Sequence, residues 1–98
     1  MKYFIAESVM NDPLPVTPEQ LEKDYLPLHV AHMQKGVAAG MLLMAGPNET
    51  GGFLILRGES REAADAFVQS DPFRVNGLNR YILREFTPMD RADIVKDW

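Results

Sequence analysis

Two short runs near the middle of the chain, Met41-Leu42-Leu43-Met44-Ala45 and Gly52-Phe53-Leu54-Ile55-Leu56, are apolar at successive positions rather than at alternate ones. Side chains on a β-strand point to opposite faces in turn, so strands of this kind are apolar on both faces and need cover on both. The segment between them, Gly46-Pro47-Asn48-Glu49-Thr50-Gly51, reads as a hairpin-like loop joining the two strands. With 98 residues the chain has apolar content for one core and no second, which predicts a single domain over residues 1–98. A sheet built from one such chain is left with a face that something else must cover.

The other elements follow from periodicity and punctuation. Residues 2–9 open on Tyr3-Phe4-Ile5 and stop at Asn11-Asp12-Pro13, predicting a first strand and a loop. That loop, carrying Pro13 and Pro15, ends in Thr17-Pro18-Glu19-Gln20, a capping box in which Pro18 stands where a missing N–H is harmless. The helix it opens meets Pro27, which predicts a kink or break near residues 24–26 before helix resumes through Ala39 and stops at Gly40. In the resumed part Leu26, Val30, Met33 and Val37 form one apolar stripe, with His29 at its edge and His32 farther toward solvent. Ser60 caps a second helix, residues 61–70, whose Ala63, Ala64, Phe67 and Val68 make its buried face. Residues 79–86 form a last strand with Arg80, Ile82, Arg84 and Phe86 on one face and Tyr81 and Leu83 on the other.

The resulting order, β-α-β-β-α-β, predicts an α+β, ferredoxin-like fold in which two helices cover one face of a four-stranded antiparallel sheet. Burying the open face on a second copy is the simplest way to keep it from water, so the strand pattern predicts a homodimer. Met33, Met41 and Met44 read as core or interface filler.

Several function classes drop out. No cysteine is present, which closes disulfide, thiol and thiolate chemistry and accords with a reducing compartment. A net charge of -4 with scattered Lys and Arg argues against nucleic acid. The first residues are too soon interrupted by charge for a signal peptide, and no apolar run approaches the roughly 20 residues of a membrane span, so the expected place is the cytoplasm. The C-terminal residues 90–98, mixed in charge, read as a solvated end or short docking tail that Trp98 could anchor.

Two residues stand out as chemistry: His29 and, some forty positions on, the Asp71 of Asp71-Pro72-Phe73. A carboxylate that fixes the tautomer of an imidazole through one ring nitrogen leaves the other free to take a proton near neutral pH. Each residue also has an ordinary explanation. His29 fits a core-edge histidine satisfied by backbone or water, and Asp followed by Pro is a favoured start for a short helical turn. One carboxylate oxygen can cap that turn while the other accepts from His29, so the roles are compatible. His29 and His32 lack further ligands at metal-site spacing, which predicts no metal. Gly46-Pro47 with Gly51-Gly52 lacks the lysine and the strand-to-helix context of a phosphate loop and reads as a turn whose backbone can still line a pocket. Arg80 and Arg84 suit a solvated or salt-bridged strand face better than an anion site.

Taken in order, Leu28-His29-Val30-Ala31-His32-Met33, Gly40-Met41-Leu42-Leu43-Met44-Ala45-Gly46-Pro47 and Ser70-Asp71-Pro72-Phe73 resemble the YCII-related family over nearly the whole chain. The resemblance implies the dimeric α/β-barrel version of the ferredoxin-like fold, as in muconolactone isomerases. It also implies a histidine–aspartate dyad in a pocket, here His29 and Asp71 as catalytic pair, with Gly46, Pro47 and Phe73 as pocket lining. A related dehydrochlorinase of chlorinated hydroquinones is attributed to such a pair, which gives a reaction class by analogy. This chain differs from the common pattern in His32 and in its proline-rich loop. The expected function is a small cofactor-free enzyme that moves a proton, in an isomerisation or elimination, on a small cyclic or aromatic compound. The alternative is a non-catalytic dimeric module that uses the same pocket to hold a small ligand.

Overall fold

The computed structural model describes residues 1–97, so Trp98 and its anchoring role lie outside the described residues. Four strands, β1 (Lys2–Met10), β2 (Leu42–Asn48), β3 (Gly51–Gly58) and β4 (Asn79–Phe86), form one antiparallel sheet in the order β2-β3-β1-β4. Between β1 and β2 run α1 (Pro18–Gln20), a π-helical stretch over Leu21–Tyr25 and α2 (Leu26–Ala38). Then α3 (Arg61–Gln69) and the single turn α4 (Pro72–Val75) connect β3 to β4, and α5 (Arg91–Asp97) ends the chain. This is the ferredoxin-like order predicted from the sequence, with α4 and α5 added.

The core sits between α3 and the sheet. Phe4 and Ala6 of β1, Leu42 of β2, Leu54 and Leu56 of β3 and Ala64 and Val68 of α3 are all buried there. Alternation explains the choice: odd-numbered β1 residues such as Tyr3 and Ile5 point to the other face, against which no helix packs closely among the described residues. On that open face Ile5 pairs with Ile55, Ile82 lies beside Glu7, and the rings of Tyr3 and Phe86 meet edge to face at 6.4 Å.

Several details differ from the sequence reading. The helix does not break before Pro27. The π-helical turn lets the backbone run on, and Pro27 then falls in the first turn of α2, where it interrupts no ladder. Gly46 and Pro47 lie in β2 rather than in a loop. Because β2 is an edge strand it tolerates a proline, and the connection shrinks to Glu49-Thr50, with Asn48 Oδ1 accepting from the backbone N–H groups of Thr50 and Gly51. The unbroken apolar run of β2 reflects a register irregularity between Leu42 and Met44: Leu42 is buried, whereas Leu43 and Met44 are exposed at the edge. The C-terminal residues are helical, started by Asp90, which accepts from Asp93 N–H at 2.9 Å; without an apolar stripe the helix left no periodic signal.

The largest difference concerns α2. Of its apolar stripe, Leu26, Val30 and Val37 are exposed, and Met33 packs partly buried against the core. The side of α2 that meets α3 and α4 carries His29, His32 and Gly36, centred about 90° from the stripe at ~100° per residue. His32, expected toward solvent, instead stacks on Phe67 of α3 at 4.4 Å and donates from Nε2 to the Phe67 carbonyl at 2.7 Å. Gly36 makes this approach possible. A Cβ there would lie 2.5 Å from Phe67 Cζ and 3.1 Å from Leu42 Cβ. Alanine is the better helix former by about 1 kcal/mol, yet overpacking of a fixed aromatic ring costs roughly 1–3 kcal/mol. Gly36→Ala should therefore lower the midpoint of urea unfolding; a midpoint at or above wild type would show that the α2–α3 seam has room to spare.

Candidate functional site

Asp71 is the N-cap of α4. Its extended backbone precedes Pro72 in the first turn, and Oδ1 accepts the backbone N–H of Phe73 at 3.1 Å. Its side chain is fully buried, so every lone pair of the carboxylate needs a protein donor. His29, reaching across from α2, supplies one: Nδ1 lies 2.9 Å from both Oδ1 and Oδ2. Tyr81 of β4 supplies another, its hydroxyl donating to Oδ2 at 2.5 Å. Three elements distant in sequence thus converge on one carboxylate.

The electrostatics follow from that convergence. Burial by itself pushes the Asp71 carboxyl up, but hydrogen bonds from His29 and Tyr81, attraction to His29 and the Phe73 N–H together bring it below its ordinary value of 3.8. Tyr81 moves the other way: burial, then the bond to the Asp71 anion, raises its pKa and keeps the phenol protonated. With the carboxylate ionised, Nδ1 of a neutral His29 carries the hydrogen and Nε2 the lone pair. Among the described residues Nε2 has no protein partner, and 21% of the side chain is exposed. The ring is held flat against Phe73, 4.1 Å between centroids and 7° between planes.

His29 lies in the wall of a cavity of about 390 Å³ between α2 and the sheet, a size suited to a small molecule. The exposed stripe of α2 finds its place here: Leu26, Val30 and Met33 form one wall. Leu54 and Phe73 continue the apolar surface, with Gly46, Pro47, Gly51 and Gly52 at the hairpin end. Of the five residues singled out by sequence, His29, Gly46, Pro47 and Phe73 therefore line one cavity, and Asp71 stands behind His29. No Asp, Glu, Lys or Arg lines it. Arg80 and Arg84 fall on the opposite face of the sheet, alternating with Tyr81 and Leu83. Among the described residues no three His, Cys, Asp or Glu side chains gather as a metal site would require.

Sequence reading missed Tyr81 and the polar pair beside it. Ser8, the cross-strand partner of Tyr81, lines the same cavity and accepts from Asn79 Nδ2 at 2.7 Å, while Asn79 Oδ1 is buried without a partner. The alternation of β4 does place Tyr81 on the helix-covered face. A tyrosine there must find a partner for its hydroxyl, and that requirement was the available signal.

Comparison with curated proteins returns no match. Among solved structures, 5-chloro-2-hydroxyhydroquinone dehydrochlorinase from Burkholderia phenoliruptrix AC1100, in complex with 2,5-dihydroxybenzoquinone, superposes with a TM-score of 0.65 at 24% identity. The match covers 91% of this chain and 96% of that one, and it shows a shared fold. The model of the YCII-related domain matches residues 1–87, the whole sheet with the helices that carry His29 and Asp71, and the chain belongs to that family.

Proposed function

We propose that this protein is a small cytoplasmic enzyme that transfers a proton on a small cyclic or aromatic compound without a cofactor, with His29 as general base and acid and Asp71 as its orienting partner. The observation that carries this reading is the pairing of His29 Nδ1 with a fully buried carboxylate in the wall of a cavity free of charged side chains. Nε2 takes a proton from an acidic C–H or O–H of the bound ring, and the resulting imidazolium is stabilised by Asp71. In an isomerisation the same proton returns to another carbon. In an elimination the electron pair left behind expels a leaving group from the neighbouring carbon, and His29 releases the proton to solvent. Phe73, stacked on the imidazole, fixes the ring plane; Gly46, Pro47 and the apolar wall of α2 accept a flat ligand by shape. The dehydrochlorinase of like fold, solved in complex with 2,5-dihydroxybenzoquinone, supports a cyclic ligand for this protein.

The same reading includes a homodimer, closed over the open face of the sheet. Ile5, Ile55, Ile82 and Phe53 lie on that face with no helix over them, the kind of surface soluble proteins cover by association. Light scattering after size exclusion should give twice the chain mass for wild type and the chain mass for Ile55→Arg. A wild-type monomer would remove the dimer from this proposal.

On a panel of lactones and halogenated phenols, His29→Gln should lose turnover by roughly 10²–10⁴-fold, the usual contribution of a general base. Wild type that binds such compounds with no turnover would point to the binding module instead. Loss of the Asp71 negative charge should make the imidazolium less favourable, so in Asp71→Asn the His29 ring should titrate at lower pH by NMR. An unmoved titration would leave Asp71 as a helix cap alone.

Asp71 also ties stability to acid. A carboxyl lowered on folding contributes stability that is complete above its unfolded value of about 3.8 and is lost as pH falls through the folded value below it. Urea unfolding should accordingly show wild type losing stability below about pH 4, with a shallower loss in Asp71→Asn, whose stability near neutral pH is lower by about 1–3 kcal/mol. Parallel acid limbs in the two proteins would refute the linkage.

A further inference from the structure

The carboxylate of Asp71 needs only two donors to do what has been described, one from the α4 backbone and one from His29. A third donor sits closer than either. Tyr81 Oη lies 2.5 Å from Oδ2, the same oxygen that His29 Nδ1 approaches at 2.9 Å. Two donors on one oxygen compete for its electron density: what the phenol takes, the imidazole loses. Resting on the proton-transfer reading above, we propose that Tyr81 is a positioning residue of this site, which pins the Asp71 carboxylate in the orientation that receives His29 and limits how strongly that carboxylate holds the imidazole proton.

The surroundings of Tyr81 fit such a role. Its strand partner Ser8 and the neighbouring Asn79 are both more than nine-tenths buried, and Asn79 Nδ2 donates to Ser8 Oγ at 2.7 Å. The Tyr81 hydroxyl gives its hydrogen to Asp71, and the strand beside it places a buried polar pair, Ser8 and Asn79, on the same inward face. A tyrosine needed only for packing has no use for a buried polar pair behind it. The titratable groups facing His29 are Asp71 at the start of α4 and Tyr81 on β4; β1, β2 and β3 bring no charged side chain to the cavity. Acting through Asp71, Tyr81 tempers the pull of the carboxylate on the imidazole N–H, which suits a residue that must both take a proton and give it back.

The sign of this effect separates it from a structural role. Asp71→Asn should move the His29 titration to lower pH, whereas Tyr81→Phe, by freeing the carboxylate of a competing donor, should move it to higher pH by about 0.5–1 unit, a three- to tenfold gain in proton affinity. His32, the other of the two histidines, is bonded to the Phe67 carbonyl and should stay in place in the same spectra. If Tyr81→Phe does not fold, Tyr81→Leu, which likewise removes the phenolic donor, should give a shift in the same direction. A His29 titration that is unmoved or lowered in the folded variant, while Asp71→Asn lowers it, overturns the role of Tyr81 and leaves the dyad standing. If Asp71→Asn itself does not lower it, the dyad fails and this inference fails with it.

Discussion

A carboxylate removed from water must be surrounded by donors, and Asp71 is fully buried. Meeting that requirement joins three parts of the chain. The Phe73 N–H fixes the start of α4, His29 draws α2 against it, and Tyr81 ties both to β4. Leaving any of these donors unmatched would expose the others to the cost of an unsatisfied buried group. The position of α2 is thus set less by burial of its apolar side chains than by a polar contact at one end and the Gly36–Phe67 approach near the other.

That arrangement explains a helix that otherwise looks misplaced. A conventional amphipathic helix turns its apolar stripe onto the sheet, and α3 does so with Ala64 and Val68. In α2 the side presenting His29, His32 and Gly36 is used for packing, so Leu26 and Val30 are left facing the space between helix and sheet. Apolar area that could have contributed stability, at about 25 cal/mol per Å², lines a cavity instead. The consequence is chemical: with no charged side chain in the wall, an imidazole and its buried partner interact in a medium of low dielectric, where proton affinities respond strongly to a single hydrogen bond.

How far the sequence revealed this depends on the kind of signal each part left. Strands β1, β3 and β4 and the caps at Thr17 and Ser60 were legible because strand-forming residue types, turn punctuation and side-chain caps are local. His29 and Asp71 could be named, and the cap role of Asp71 with them, but their contact spans 42 residues and only the fold closes it. The α2 stripe was read correctly as a stripe, but what it faces was not legible, since periodicity reports which residues share a face and not what that face meets. Pro47 misled for a related reason: proline excludes a central strand but not an edge, and edge or centre is a property of the sheet. Tyr81 left a weaker trace, a hydroxyl on an inward strand face in need of a partner.

The sheet carries two programmes, one on each side, and its register couples them. On the helix side, Ser8 and Tyr81 stand opposite each other and bring their hydroxyls to Asp71 and the cavity. On the other side, one residue away along each strand, Glu7 stands opposite Ile82, and Ile5 opposite Ile55. Because side chains alternate, slipping β4 by a single residue would replace Tyr81 with Arg80 or Ile82 at the carboxylate and turn the tyrosine outward. The same slip would carry Arg80 and Arg84 into the core layer. Burial of Leu83 and Tyr81 on one face and the apolar row containing Ile82 on the other therefore select the same register, so the residues that favour association also hold the polar site in line.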